Sequence, residues 1–319
     1  MYAHYFGLKE NPFNLTPDSR YLFLSPRHRE ALNHLIYGIT ERKGFIVVTG
    51  SVGTGKTTIS RALLAHLDSS VDTAVIFNSG ISDRDLLSMI VREFDVKLGR
   101  GRPTRRAYID ALNGFLVKNF AAGRNAVLLI DEAQNLAPAV LEQIRMLSNL
   151  ETEREKLLQI VLLGQPELER ILGSPSLRQL NERIAVRCTL EPLDRIQTAR
   201  YIAHRVAVAD GNGASVRFTT AAEKRIFRAS GGNPRKINVL CDRALLVAFA
   251  LDHHVIDGGI LRKAVRDIGP AYLGSNRRAM FRRMGATVLV LAAMLAILGF
   301  WGRDVLVEGI RALAGGAAP

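Results

Sequence analysis

The chain has 319 residues, 48% of them apolar, a formal net charge of +13 and two cysteines. That is enough for one large α/β domain and a smaller one, each with a core. Cys188 and Cys241 have no metal-ligand spacing and lie in apolar stretches, which argues against a cysteine metal centre and for buried free thiols in a reducing compartment. The charge is uneven. From Asn181 to Arg283 there are 19 Lys/Arg against 9 Asp/Glu, a net of +10. A basic surface suits nucleic acid or anionic lipid headgroups, with plain solvated charge as the alternative.

In chain order, Met1–Glu10 has no apolar core of a signal peptide. Residues 1–40 read as an N-terminal lead-in segment with turns at Asn11–Pro12–Phe13 and Thr16–Pro17, then a helix near Pro26–Gly38. Gly44–Thr49 is a short apolar strand, and Gly50–Ser51–Val52–Gly53–Thr54–Gly55–Lys56–Thr57–Thr58 follows it. The latter fits G-x-x-x-x-G-K-[ST], and helical spacing begins at Thr57 and runs to Leu67. Strand, glycine loop and helix together make a phosphate-binding loop. Its backbone N–H groups and helix N-terminus attract phosphate oxygens, Lys56 reaches the β- and γ-phosphates, and Thr57 serves Mg²⁺.

Further strands are expected near Thr73–Phe77, Ala126–Asp131, Gln159–Leu163 and Ile184–Leu190. Helices are expected between them near Asp83–Phe94, Arg105–Asn119 and Ala139–Leu147. This alternation predicts a parallel sheet with helices on both faces over residues 41–191, a P-loop NTPase core. Val127–Glu132 is an apolar strand ending in two carboxylates. Asp131 suits the Mg²⁺ shell, and Glu132 suits orientation of an attacking water.

Gln165 ends the next strand, where an amide can bridge the γ-phosphate and the water, or merely cap a turn. Arg183 and Arg187 bracket the fifth strand. They are candidate arginine fingers acting on a neighbour's nucleotide, with Arg183 favoured and surface salt bridging as the alternative.

From about Pro192 apolar residues recur at helical spacing with no clear strand, so residues 192–268 read as a small all-α lid. In Gly231–Gly232–Asn233–Pro234–Arg235, Pro234 suits the first turn of a helix. Arg235 there opposes the helix dipole, so an anion such as the γ-phosphate, or simple exposure, must account for it. His253–His254 has no ligand partners nearby and reads as a loop or helix end.

Residues 269–284 form a basic linker. Gly285–Gly302 then runs 18 residues without a charge, roughly 27 Å as a helix. Arg277, Arg278, Arg282 and Arg283 precede it and Trp301 lies at its far edge, as a membrane span would require. The positive-inside rule puts residues 1–283 in the cytoplasm and leaves 303–319 as a short periplasmic tail.

These motifs together resemble an AAA+ ATPase. Tyr5–Phe13, Leu24–Leu32, Asp131–Leu136, Leu163–Leu168 and Gly232–Arg235 narrow the resemblance to the ExeA-type general secretion pathway protein A family, over Met1 to about Asp267. The resemblance implies ATP hydrolysis with Mg²⁺, ring or multimer formation with fingers acting in trans, an inner-membrane partner, and support for a secretin export pore. Such ATPases usually carry a periplasmic peptidoglycan-binding domain after the span. Residues 303–319 are too few for one, so the resemblance points to a partner for wall contact, or to a surface-polysaccharide system. Transposition helper ATPases share several of the motifs, which keeps a nucleic-acid-binding regulatory ATPase as the other reading. An ATP-binding switch with little turnover is a third.

Overall fold

The computed structural model describes residues 2–16, 18–77, 83–99, 104–153, 155–211, 213 and 215–273. Met1–Asp267 form one compact unit and Ile268–Pro319 a second.

A short helix α1 (Tyr2–Tyr5) is followed by α2 (Pro26–Thr40), which Ser25 caps and Pro26 opens. Then come β1 (Phe45–Gly50), α3 (Lys56–His66), β2 (Val71–Ile76), α4 (Asp83–Glu93), α5 (Arg105–Ala121) and β3 (Asn125–Ile130). The core is completed by α6 (Pro138–Leu147), β4 (Gln159–Gly164), α7 (Glu167–Leu172), α8 (Arg178–Glu182) and β5 (Ile184–Leu190).

All pairings in this sheet are parallel, in the order β2-β3-β4-β1-β5. Every residue of β1, β3 and β4 is buried. Parallel strands covered on both faces need apolar side chains on both, hence their continuous hydrophobic runs.

Period-two alternation divides these runs between two cores. Phe45, Val47, Leu128, Ile130, Ile160 and Leu162 pack with residues such as Leu86, Ile90, Leu116 and Ile144. Ile46, Val48, Val127, Leu129, Val161 and Leu163 pack with Leu32, Leu35, Ile39, Ile59 and Leu63. The second core fixes α2 and α3 on one face, beside the carboxyl end of β1.

The helical part comprises α9 (Arg195–Ala209), β6 (Arg217–Phe218), α10 (Thr220–Ser230), α11 (Pro234–Ala250), β7 (Val255–Ile256) and α12 (Gly258–Ile268). The expectation of an all-helical lid is corrected here. β6 and β7 pair in parallel, Arg217 with Val255 and Phe218 with Ile256. Two residues per strand leave no alternation for a sequence to display.

The N-terminal segment is woven into these helices. Phe6 and Phe13 are fully buried. Arg205 donates to the carbonyls of Pro12 and Asn14, and Tyr2 and Asn11 both donate to Asp242.

In the second unit the described helix is α13 (Pro270–Leu273). The expected span at 285–302, the tail at 303–319 and the linker beyond residue 273 lie outside the described residues. Among the described residues no helix is long and apolar enough to cross a membrane.

Candidate nucleotide site

The glycine loop joins the last residue of β1, Gly50, to the first of α3, Lys56. Gly53 and Gly55 take φ of +80° and +104°, the left-handed region that suits glycine. At Gly53 a side chain is also blocked by contact, since a Cβ there would lie 2.6 Å from Arg235 Cβ and 2.8 Å from Asn233 Oδ1.

Four carbonyls of the loop are taken by side-chain donors. Lys56 Nζ donates to Gly50 at 2.9 Å, and Thr54 Oγ1 donates to Ser51 at 2.8 Å. Asn233 Nδ2 donates to Val52 at 2.7 Å, and His28 Nε2 to Thr54 at 2.8 Å. A trans peptide points its N–H opposite to its C=O, so holding these carbonyls orients the N–H groups that follow them. A backbone so arranged at a helix N-terminus is an anion cradle, and the fit to a phosphate chain rests on it.

Lys56 is buried. Desolvation lowers its pKa, opposed by the negative charges of Glu132, Asp131 and Glu167. A buried ammonium facing carboxylates is placed to neutralise added negative charge.

The second half of the site comes from the end of β3. Asp131 is buried; one carboxylate oxygen accepts from Thr57 Oγ1 at 3.1 Å and the other from the Glu132 N–H at 2.8 Å. A hydroxyl and a carboxylate in contact are the hard oxygen donors Mg²⁺ takes, so the expected pair, Thr57 and Asp131, fits the ion.

Glu132 has φ +54°, a left-handed conformation unusual for a residue with a side chain. Gln134 Nε2 donates to Glu132 Oε2 at 2.7 Å, and Gln165 Nε2 to the same oxygen at 3.2 Å. Gln134 Oε1 in turn accepts the Gln165 N–H at 2.9 Å. Burial pushes the Glu132 carboxyl up, but these two amide donors and the charge on Lys56 outweigh it and hold the carboxyl below its usual range.

A cavity of about 430 Å³ runs along the loop. Its walls include residues 52–58, Glu132 and Arg235, together with Tyr21 and Phe23 of the N-terminal segment and Tyr201 of α9. Arg235, in the first turn of α11, is exposed and faces this cavity.

The structure thus brings together the whole glycine loop, Asp131, Glu132, Gln165 and Arg235. It does not bring Arg183 or Arg187 to the subunit's own loop. Arg183 donates to Ser148 and Asn149, and Arg187 to Glu169 and Asn181.

Three residues with direct roles in this geometry lie outside the nucleotide-binding motif positions that the sequence marks: His28, Gln134 and Asn233. Gln134 had the clearest signal, two positions beyond Glu132. Among the described residues no cluster of three or more His, Cys, Asp or Glu could hold a metal, and both cysteines are free and buried.

The family described as AAA domain matches residues 39–172. General secretion pathway protein A of Aeromonas hydrophila is 43% identical over 302 residues, which are 95% of this chain and 54% of that protein. The chain therefore spans about half the length of that relative.

Among solved structures, Cdc6p of Pyrobaculum aerophilum superposes with a TM-score of 0.61 at 18% identity, covering 80% of this chain and 70% of that one. The ORC2 protein of Aeropyrum pernix gives 0.57 at 16% identity, with 81% and 71% covered. The RuvB branch migration motor of Thermotoga maritima gives 0.51 at 18%, with 77% and 72% covered. At these identities the likeness concerns the fold.

The fold, the loop opposite two strand-end carboxylates and the 43% identity converge: the chain has a P-loop NTPase-like fold, carries an AAA domain over residues 39–172, and is similar over 95% of its length to general secretion pathway protein A.

Proposed function

We propose that the chain binds and hydrolyses ATP with Mg²⁺ and, anchored in the inner membrane by residues 285–302 with the ATPase part in the cytoplasm, supports an envelope export system of the type II kind. The observation that carries hydrolysis is the Glu132 carboxylate. It follows directly on Asp131, is held ionised, and is tied by Gln165 to the end of β4.

An ionised carboxylate at this place accepts hydrogen bonds from a water and orients it toward the terminal phosphoryl group of bound ATP. The loop N–H groups, Lys56 and Arg235 meet the charge that accumulates on the phosphate oxygens. Thr57 and Asp131 would hold the Mg²⁺, which supplies further positive charge when bound. Lys56→Ala should abolish nucleotide binding. Glu132→Gln should bind ATP and not turn it over; undiminished turnover in Glu132→Gln removes the catalytic assignment.

The export role rests on the identity to general secretion pathway protein A and on the charge pattern around residues 285–302. It predicts that detergent, not salt, extracts the protein, and that cells lacking it fail to assemble an export secretin. Normal secretin assembly in such cells would shift the reading toward surface-polysaccharide export. The excess of Lys/Arg in residues 181–283 supports a second reading, a nucleic-acid-binding regulatory ATPase. Stimulation of turnover by DNA, with a steep salt dependence, would favour it.

A further inference from the structure

Of the donors that hold the loop carbonyls, His28 lies outside every nucleotide-binding motif. It stands in the first turn of α2 and is buried. Its Nε2 lies 2.8 Å from the Thr54 carbonyl, and its Nδ1 lies 2.6 Å from Ser25 Oγ. A carbonyl oxygen only accepts, so Nε2 carries the proton. In the neutral ring Nδ1 then accepts from the Ser25 hydroxyl. Burial favours that neutral form and holds His28 below the ordinary imidazole range, although the bond to Thr54 works the other way.

Both ring nitrogens are therefore committed, and the ring has one orientation. Ser25 also accepts the His28 N–H as cap of α2. The helix itself is locked into the core by Leu32, Leu35 and Ile39. The chain of contacts from the apolar core to the loop is thus Leu35, α2, His28 and Thr54. The ring also fills the space behind Gly55, where a Cβ would lie 3.0 Å from Nε2. Fixing the Thr54 carbonyl on the His28 side turns the N–H of Gly55, across the same planar peptide, to the opposite side.

We propose that His28 is a positioning residue for the phosphate loop. It orients the Thr54–Gly55 peptide so that the Gly55 N–H is presented to a nucleotide's phosphate oxygens before the nucleotide arrives. The proposal rests on the nucleotide-binding reading above. It assigns to α2 a share of the affinity for nucleoside di- and triphosphates.

The test uses the full chain with His28→Ala, His28→Gln and His28→Asn. A glutamine places its amide nitrogen near the position of Nε2, whereas an asparagine places its own near Nδ1, facing Ser25. Kd for Mg·ADP and Mg·ATP should rise about tenfold in His28→Ala and in His28→Asn, the scale of one preorganised hydrogen bond, and should recover to within about threefold in His28→Gln. In nucleotide-free protein, amide exchange over residues 51–58 should quicken in His28→Ala and His28→Asn and return toward wild type in His28→Gln.

Equal affinities in all three variants, or unchanged exchange in both His28→Ala and His28→Asn, overturn the proposal. Should His28→Ala fail to fold, the glutamine and asparagine variants decide between themselves. A wild-type protein that binds no nucleotide would instead defeat the ATPase reading, and the exchange comparison would still decide whether His28 holds the loop.

Discussion

The side-chain amide of Asn233 donates to the Val52 carbonyl at 2.7 Å while its Oδ1 accepts the N–H of Lys236 at 3.2 Å. One residue thus caps α11 and grips the phosphate loop from the lid side. The two bonds need opposite ends of the amide, so they can be separated. Asn233→Asp keeps the acceptor that caps the helix and loses the donor to Val52. Its melting temperature should stay near wild type while affinity for ATP falls about fivefold to tenfold. Asn233→Ala loses both, and its stability should drop by a further ~1 kcal/mol in a denaturant titration. Matching affinities in Asn233→Asp and wild type would show that the lid does not act on the loop through this bond.

Gly53 is the position where that grip leaves no room. Its φ of +80° disfavours a side chain, and a Cβ would press on Arg235 and Asn233. Gly53→Ala should therefore lose ATP binding by about tenfold or more through roughly 1–3 kcal/mol of local strain. Gly123 offers a control, with φ +73° and nothing within 4 Å of where a Cβ would stand. Gly123→Ala carries the backbone cost alone and should bind ATP normally, which isothermal titration of the two variants would check.

What the sequence displayed and what it concealed follow from the range of the interactions. β1, β3 and β4 were visible because burial on both faces demands unbroken apolar runs. The loop and Asp131–Glu132 were visible because phosphate and metal chemistry needs fixed residue types at fixed local spacing. His28, by contrast, meets Thr54 across 26 positions, and Asn233 meets Val52 across 181. A single polar residue carries no mark of a partner that distant. The same holds for the N-terminal segment, whose turns were legible but whose hold on Arg205 and Asp242 depends on the packing of α9 and α11.

Gln134 is the clearest case of a residue whose function lies in what it holds. It joins the Glu132 carboxylate to the backbone of Gln165. Gln134→Ala should lower kcat about tenfold and leave KM for ATP nearly unchanged, because the contact orients Glu132 and does not touch the nucleotide. The pH profile supplies a second readout. The Glu132 pKa lies below its ordinary value of 4.5, so the carboxylate is charged throughout the neutral range, and the acid limb it imposes lies below that value. Deleting one lowering hydrogen bond raises the pKa. The acid limb of kcat in Gln134→Ala should therefore shift to higher pH, and a shift the other way would contradict the assigned bond. The same depression adds stability that is present above the unfolded-state pKa and lost as the pH falls through the folded value.

Arg183 and Arg187 are both engaged within their own subunit and stand away from its loop. Arg183 closes α8 and bonds to Ser148 and Asn149, and Arg187 on the edge strand β5 pairs with Glu169. The finger role proposed for either is therefore one exerted on a neighbouring copy. Arg183→Ala alone should lower turnover by roughly a thousandfold, the scale of an arginine finger, while ATP binding persists. Lys56→Ala supplies intact fingers and a dead loop. When the two inactive proteins are mixed, interfaces form in which an intact Arg183 faces an intact Lys56, and activity should return in proportion to those interfaces. Co-assembly without any return of turnover would leave Arg183 with its hydrogen bonds to Ser148 and Asn149 alone and pass the test to Arg187→Ala under the same mixing design.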